Sequence, residues 1–368
     1  MNVFEVYGVV KSTYMHRYAL VKGSTGAHTV SLLWYYGMEP KVFCSCVSYR
    51  IRGKCRHVRW LEALVKSKKN VFGEIVSIDE YIEQNVRVFP SSLRALNDLF
   101  DGEPYSNDAI TVFYGKPKVG KSLLILQEAA WFESKGYNVL IIDTEGSLRE
   151  SAKYWLPIMR RRFNSSGGRI YVVKKLTLQA LAQFMGKKVT VVTKGDERKG
   201  GKSEFYVIGD TVDKLADAIT GLKIDIVIVD SITAPIRTAI VSAQQNNPAK
   251  SDAEGFVMGR LLNYIDRYNV GVIVTAHASF NPANPYDTTA NIRGGVAIHH
   301  FAKNVVYIDK REKKDLAAYR RFWLVRYGSN VPEWSKVAVA KISDVGYVDV
   351  DEPVEDFLTD SEVKRLGM

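Results

Sequence analysis

Two short constellations in this sequence of 368 residues combine residue types that do chemistry. The first, Gly115-Lys116-Pro117-Lys118-Val119-Gly120-Lys121-Ser122, fits the pattern GxxxxGK[ST]. Its glycines let successive backbone N–H groups turn inward around an anion. Lys121 would then reach the β- and γ-phosphates of a nucleotide, and the Ser122 hydroxyl would ligate magnesium. The apolar run ITVFY (110–114) precedes the loop and SLLILQEAAWF (122–132) follows it. That strand–loop–helix context places a positive helix N-terminus at the phosphates. The second constellation is Cys44, Cys46, Cys55 and His57, whose three thiolates and one imidazole suit tetrahedral zinc. It uses all three cysteines of the chain, an odd number in one short stretch, which argues against a disulfide framework. Incidental buried thiols are the alternative.

A phosphate cradle alone hydrolyses nothing. Magnesium also needs a carboxylate at the end of a neighbouring strand, and Asp230 closes DIVIVD (225–230). A helix cap is the competing use for it. Glu145, just past NVLIID (138–143), is placed to orient the attacking water, with Asp143 as the competing carboxylate.

The elements that must position these groups follow from hydrophobic patterning. The runs at 110–114, 138–143, 169–173, 225–230, 270–276 and 304–309 are short, continuous and rich in Val and Ile. Strands buried on both faces read this way, and their alternation with helix-length segments implies right-handed βαβ units in a mostly parallel sheet. A hairpin with a basic turn is expected over 189–209, and a second strand pair over 320–327 and 336–342. Residues 1–40 alternate like short antiparallel strands about the turn Gly23-Ser24-Thr25-Gly26, and 58–65 have helical spacing. The expected organisation is a β-rich zinc-binding module (1–70), a linker (71–92), an α/β ATPase domain (93–350) and an acidic surface tail (351–368).

In this order the motifs resemble the RecA/RadA family of ATPases over residues 90–350, nearest in style to archaeal recombinases and their paralogs. The segment SSLRALNDLFDGEPYSNDAITVFYGKPKVGKS is similar to the family's lead-in to its phosphate loop. IIDTEGSLRESA resembles the stretch carrying the catalytic glutamate, here Glu145, and the arginine that stacks on adenine, here Arg149. IVIVDSITAPIR resembles the second nucleotide motif, with Asp230. VIVTAHASFNP and IRGGVAIHH resemble the strand and DNA-binding loop that close on a glycine pair, here Gly294 and Gly295. NVPEW (330–334) resembles the edge that touches a neighbour's nucleotide, which implies a role across a subunit interface for Pro332 and Glu333. The family's γ-phosphate sensor is usually Gln or Asn; here His277 occupies that strand tip, bringing pH dependence with it. Residues 67–92 hold no Phe-x-x-Ala polymerisation motif, and no helix-hairpin-helix module precedes the core. Both departures imply a paralog or accessory ATPase.

The finger's spacing resembles the SWIM type, CxC…CxH. Residues 41–69 carry nine Lys and Arg against one acid, so the module stays basic even with the net −1 of zinc and three thiolates. Arg50, Arg52, Lys54 and Arg56, interleaved with Tyr49 and Trp60, suit phosphate contacts and base stacking, or alternatively a protein contact. In the core, 236–254 and 279–293 are polar, Asn-rich and without regular periodicity, and read as long loops; the family's arrangement turns them toward DNA, with Arg237, Lys250 and Arg293 on phosphates, and ordinary loops are the alternative. The formal charge of +11 agrees with a polyanionic partner. Absence of a 20-residue apolar run predicts a soluble, cytoplasmic protein with no membrane partner, and the resemblance implies that it is DNA-associated. The expectation is a DNA-dependent ATPase of recombination and repair using ATP, Mg2+ and Zn2+, favouring single-stranded DNA, as a homo-oligomer or a hetero-oligomer with a recombinase. The alternatives are an ATP-gated adaptor with little turnover and a KaiC-like signalling ATPase.

Overall fold

All six apolar runs become neighbouring parallel strands of one sheet in the computed structural model. The structure describes every residue except 1, 2, 12, 13, 24, 25, 36–40, 56, 60–85, 166, 175, 195–200, 241–245, 280–290, 293–295, 312, 313 and 328–331. The chain divides into two compact units, Met1–Gln84 and Asn85–Met368.

The first unit is an antiparallel sheet of four strands in chain order: β1 (Val3–Lys11), β2 (Tyr14–Gly23), β3 (Gly26–Tyr35) and β4 (Lys41–Cys44). Gly23 pairs with Gly26 across the turn read from the sequence. β4 leads into the short helix α1 (Val47–Arg52), which Gly53 ends in the left-handed conformation at φ 64°. Val30, Cys44, Cys46, Cys55 and Val58 form the described core, with Val42 and Tyr49 packed against it. Of the helix expected at 58–65, only 58 and 59 fall among the described residues.

In the second unit a short antiparallel pair, Val88–Phe89 with Tyr105–Ser106, brackets α2 (Arg94–Leu99), and strand and helix then alternate. Strand β5 (Ile110–Gly115) feeds α3 (Lys121–Ser134), and β6 (Asn138–Asp143) feeds α4 (Leu148–Phe163). After β7 (Arg169–Lys174) and α5 (Leu178–Phe184) comes a separate hairpin of β8 (Lys187–Lys194) and β9 (Lys202–Asp210). Next come α6 (Lys214–Gly221), β10 (Ile226–Asp230), α7 (Thr233–Ala239), α8 (Asn247–Tyr268) and β11 (Gly271–Ser279). The sheet is completed by β12 (Asn304–Asp309), β13 (Tyr319–Tyr327), β14 (Lys336–Ser343) and β15 (Gly346–Asp349).

The strand order is β15-β14-β13-β12-β5-β11-β10-β6-β7, with β12 to β7 parallel and β13 to β15 antiparallel. Burial on both faces explains the unbroken apolar runs. Val112 and Tyr114 of β5 join the core on one side, whereas Phe113 joins the core on the other. Each such side chain contributes about 1.5–3 kcal/mol. β5 lies between β11 and β12, not beside β6, so chain connections diverge on either side of it. Such a switch point opens a crevice at the carboxyl ends of the strands.

One expectation needs correction and another a refinement. Residues 247–254 are not loop but the first turns of α8, because a proline opens the helix and Ala249, Ala253 and Glu254 are buried. The tail lies mostly at the surface but is anchored. Phe357 and Leu358 are buried, and Arg321 ties Glu362 to the core at 3.0 Å. Glu362 also completes a capping box with Thr359 at the start of the last helix, Asp360–Leu366. Upstream, Phe89 and Leu93 are fully buried, so the chain from residue 86 onward already packs within the second unit. Among the described residues no helix is long and apolar enough to cross a membrane.

Candidate functional site

The loop from Gly115 to Ser122 connects the carboxyl end of β5 to α3. A side chain on Gly115 would run into the Ile308 carbonyl, and Gly120 sits at φ 105°, so both positions require glycine. Lys116, Pro117 and Lys118 are exposed on the rim, while Val119 is buried. Lys121 opens the helix and is itself buried; its Nζ donates to the carbonyls of Gly115 and Lys116, each at 3.0 Å. Burial lowers its pKa, opposed by the negative charges of Asp230 and Glu145.

The strand register brings the other groups to the same edge. Asp230 pairs with Asp143 across β10 and β6, and His277 pairs with Gly115 across β11 and β5. The Asp230 carboxyl is fully buried, and burial raises its pKa despite hydrogen bonds from Thr275 and Ser122. Its Oδ2 has no partner among the described residues. An orphaned carboxylate oxygen beside a serine hydroxyl is the donor set that a hard cation such as magnesium takes. The alternative of a helix cap finds no support, since no side-chain cap bond is made at the start of α7.

Asp143 and Glu145 separate cleanly. Asp143 accepts from the backbone N–H groups of Gly146 (2.7 Å) and Leu148 (3.3 Å), fixing the turn into α4. Glu145 faces the crevice instead, accepting from Ser231 Oγ at 2.6 Å and His277 Nε2 at 2.8 Å. The His277 bond holds its carboxyl down at about 2, against the opposing effect of burial. An ionised carboxylate only accepts, so His277 carries its proton on Nε2. Its Nδ1 is buried without a partner among the described residues. The structure therefore brings Lys121, Ser122, Glu145, Asp230 and His277 together. It adds Ser231 and Thr275, hydroxyls with no motif of their own; the position of Ser231 directly after Asp230 was the one available signal.

The other candidates are exposed or half-buried, or lie outside the described residues. Arg149 is exposed on the first turn of α4, and Pro332 and Glu333 are exposed just before β14. Arg237 is exposed near the end of α7, and Lys250 lies half-buried on α8, where its charge acts on Glu254. Arg293, Gly294 and Gly295 lie outside the described residues, as does Arg56.

In the first unit the ligand atoms of Cys44, Cys46, Cys55 and His57 all lie within 4.8 Å of one another. Cys44 Sγ is 3.5 Å from His57 Nδ1, close to the ligand spacing of about 3.3–3.8 Å implied by tetrahedral zinc bonds. The Val58 N–H donates to Cys55 Sγ at 3.3 Å, the kind of contact that supports a bound thiolate. Three soft sulfurs and an imidazole in this spacing fit zinc. Arg50, Arg52 and Lys54 are exposed beside it, as are Val47 and Ile51.

Residues 107–289 match the family model described as an AAA domain. The chain is 23% identical over 329 residues to the DNA repair protein RadA of Listeria monocytogenes, covering 86% of this chain and 59% of that protein. It is 23% identical to the DNA repair and recombination protein RadB of Methanoculleus marisnigri, over 62% of this chain and 85% of that one. The RadB of Methanosphaera stadtmanae is 25% identical, over 55% and 72% respectively.

Proposed function

We propose that this chain, which is similar over its second unit to RadA and RadB repair proteins and to an AAA domain, is a DNA-dependent ATPase of recombination and repair, acting in the cytoplasm as a recombinase paralog or mediator on single-stranded DNA. One observation carries this reading: Lys121, the Ser122–Asp230 pair and the Glu145–His277 pair meet beneath a glycine-built anion cradle. ATP lies with its phosphates in the loop 115–122 and its adenine against Arg149. Ser122 and Asp230 would hold magnesium, which would supply charge neutralisation for the triphosphate. Glu145 takes a proton from water as the water oxygen bonds to the γ-phosphorus and the bond to the β-phosphate oxygen breaks, leaving ADP and phosphate. A carboxylate held at about 2 is a poor base near neutral pH. His277 therefore leaves Glu145 when it donates to the γ-phosphate, restoring the basicity of Glu145. Pro332 and Glu333 approach the nucleotide of an adjacent subunit. Arg237, Lys250, Arg293, Gly294 and Gly295 contact DNA, and the zinc module adds an anchor through Arg50, Arg52, Lys54 and Arg56.

The test uses Glu145→Gln, which keeps shape and loses the base. Hydrolysis is expected to fall by about 10²–10³-fold while ATP still binds. The trapped ATP state should then hold single-stranded DNA several-fold more tightly than the ADP state, read by fluorescence anisotropy. Equal DNA affinity in both states contradicts the reading.

A further inference from the structure

We propose that Arg320, assisted by Tyr347, is a positioning residue that sets the peptide orientation of the phosphate loop and thereby its affinity for nucleotide. This rests on the assignment of loop 115–122 as the ATP site. Arg320 belongs to β13, two strands away from β5. It is buried, and its Nε donates to the Val119 carbonyl at 2.7 Å. Its Nη1 donates to the carbonyls of Ala317 (2.7 Å) and Tyr319 (2.8 Å), which fix the guanidinium plane. The Tyr347 hydroxyl, on β15, donates to the same Val119 carbonyl at 3.4 Å. The backbone of Tyr347 is in turn clamped by Gln127 of α3. Its N–H donates to Gln127 Oε1 at 2.7 Å and its carbonyl accepts from Gln127 Nε2 at 3.0 Å.

The consequence is geometric. In a trans peptide the C=O and N–H point in opposite directions. Drawing the Val119 carbonyl back toward Arg320 aims the Gly120 N–H the other way, into the cradle. Gly120 at φ 105° completes that turn, and a side chain there would collide with the Tyr347 hydroxyl. A loop already turned this way loses less freedom when an anion arrives.

Charge points in the same direction. Among the described residues no carboxylate lies within ion-pair distance of Arg320; Asp309 pairs with Arg321 instead. Burial lowers the Arg320 pKa, opposed by Tyr347 and by the Asp309 charge beyond ion-pair distance. A buried cation with no close counter-charge is costly. Behind an anion cradle, that charge is compensated when a polyphosphate binds.

Arg320→Met removes the charge and the donors. We expect KM for ATP, and the Kd of a fluorescent ATP analogue, to rise about 10-fold with kcat within about two-fold of the parent. Lys121→Ala in parallel tests the site itself. If Arg320→Met folds with a parental KM while Lys121→Ala is inactive, the proposal is overturned and the ATP site stands. A fall in kcat at unchanged KM also overturns it, since that is what loss of folded enzyme produces. If Lys121→Ala hydrolyses ATP normally, both assignments fall. Should Arg320→Met not fold, Tyr347→Phe carries the test: a KM raised about two- to three-fold supports the proposal, and a parental KM overturns it.

Discussion

Replacing Lys121 with alanine is expected to lower ATP hydrolysis by at least about 10²–10³-fold while leaving zinc content unchanged. The ammonium is buried at the start of α3, folded onto the Gly115 and Lys116 carbonyls, and it feels the charges of Asp230 and Glu145. Those carbonyl contacts are the kind a γ-phosphate displaces, so the same group moves from capping the loop to neutralising the nucleotide. Alanine removes that charge from a low-dielectric site where its interactions are strong. It also leaves two carboxylates facing each other with less compensation. The Cys/His cluster that would hold zinc belongs to the other unit, so metal content should be unaffected. Single-turnover phosphate release with metal analysis on the same preparation checks both halves. Hydrolysis within about three-fold of the parent would show that the chemistry occurs elsewhere.

The second large effect is expected at the zinc cluster. Cys55→Ser, or chelation of the native protein, should remove about one zinc per chain and expose residues 1–84 to protease, while 85–368 stays resistant. The reason is the size of the first unit's core. Three of its five described fully buried residues are the cysteines themselves, alongside Val30 and Val58. So small an apolar set supplies little stability, and metal binding supplies the remainder in domains of this kind. ATP hydrolysis without DNA should persist in the chelated protein. Limited proteolysis with mass spectrometry reads the outcome, and protection unchanged by chelation would argue for incidental thiols.

Much of this was legible because burial on both sheet faces leaves a plain mark. ITVFY, NVLIID and DIVIVD have no polar interruption, and each became a central strand. Glycine at 115 and 120 was legible for the same kind of reason, since neither position tolerates a Cβ. The choice between Asp143 and Glu145 was not, because both follow the same strand. It depends on where the N-terminal N–H groups of α4 fall, and they meet Asp143. Lys250 looked like loop because Gln, Asn and Pro dominate 244–248, yet burial of Ala249 and Ala253 holds a helix there. The tail read as surface from its acids, although Arg321 supplies the partner that draws Glu362 inward. Arg320 and Tyr347 were invisible because the loop they support lies some two hundred residues away, a relation only the sheet order creates.

The most direct test of the central claim is ATP hydrolysis by the zinc-loaded protein, with and without single-stranded DNA, across a salt series. The account predicts several-fold stimulation by DNA that fades as salt rises, because phosphate contacts release counterions. Slow turnover indifferent to DNA at every salt concentration, despite tight nucleotide binding, would contradict it.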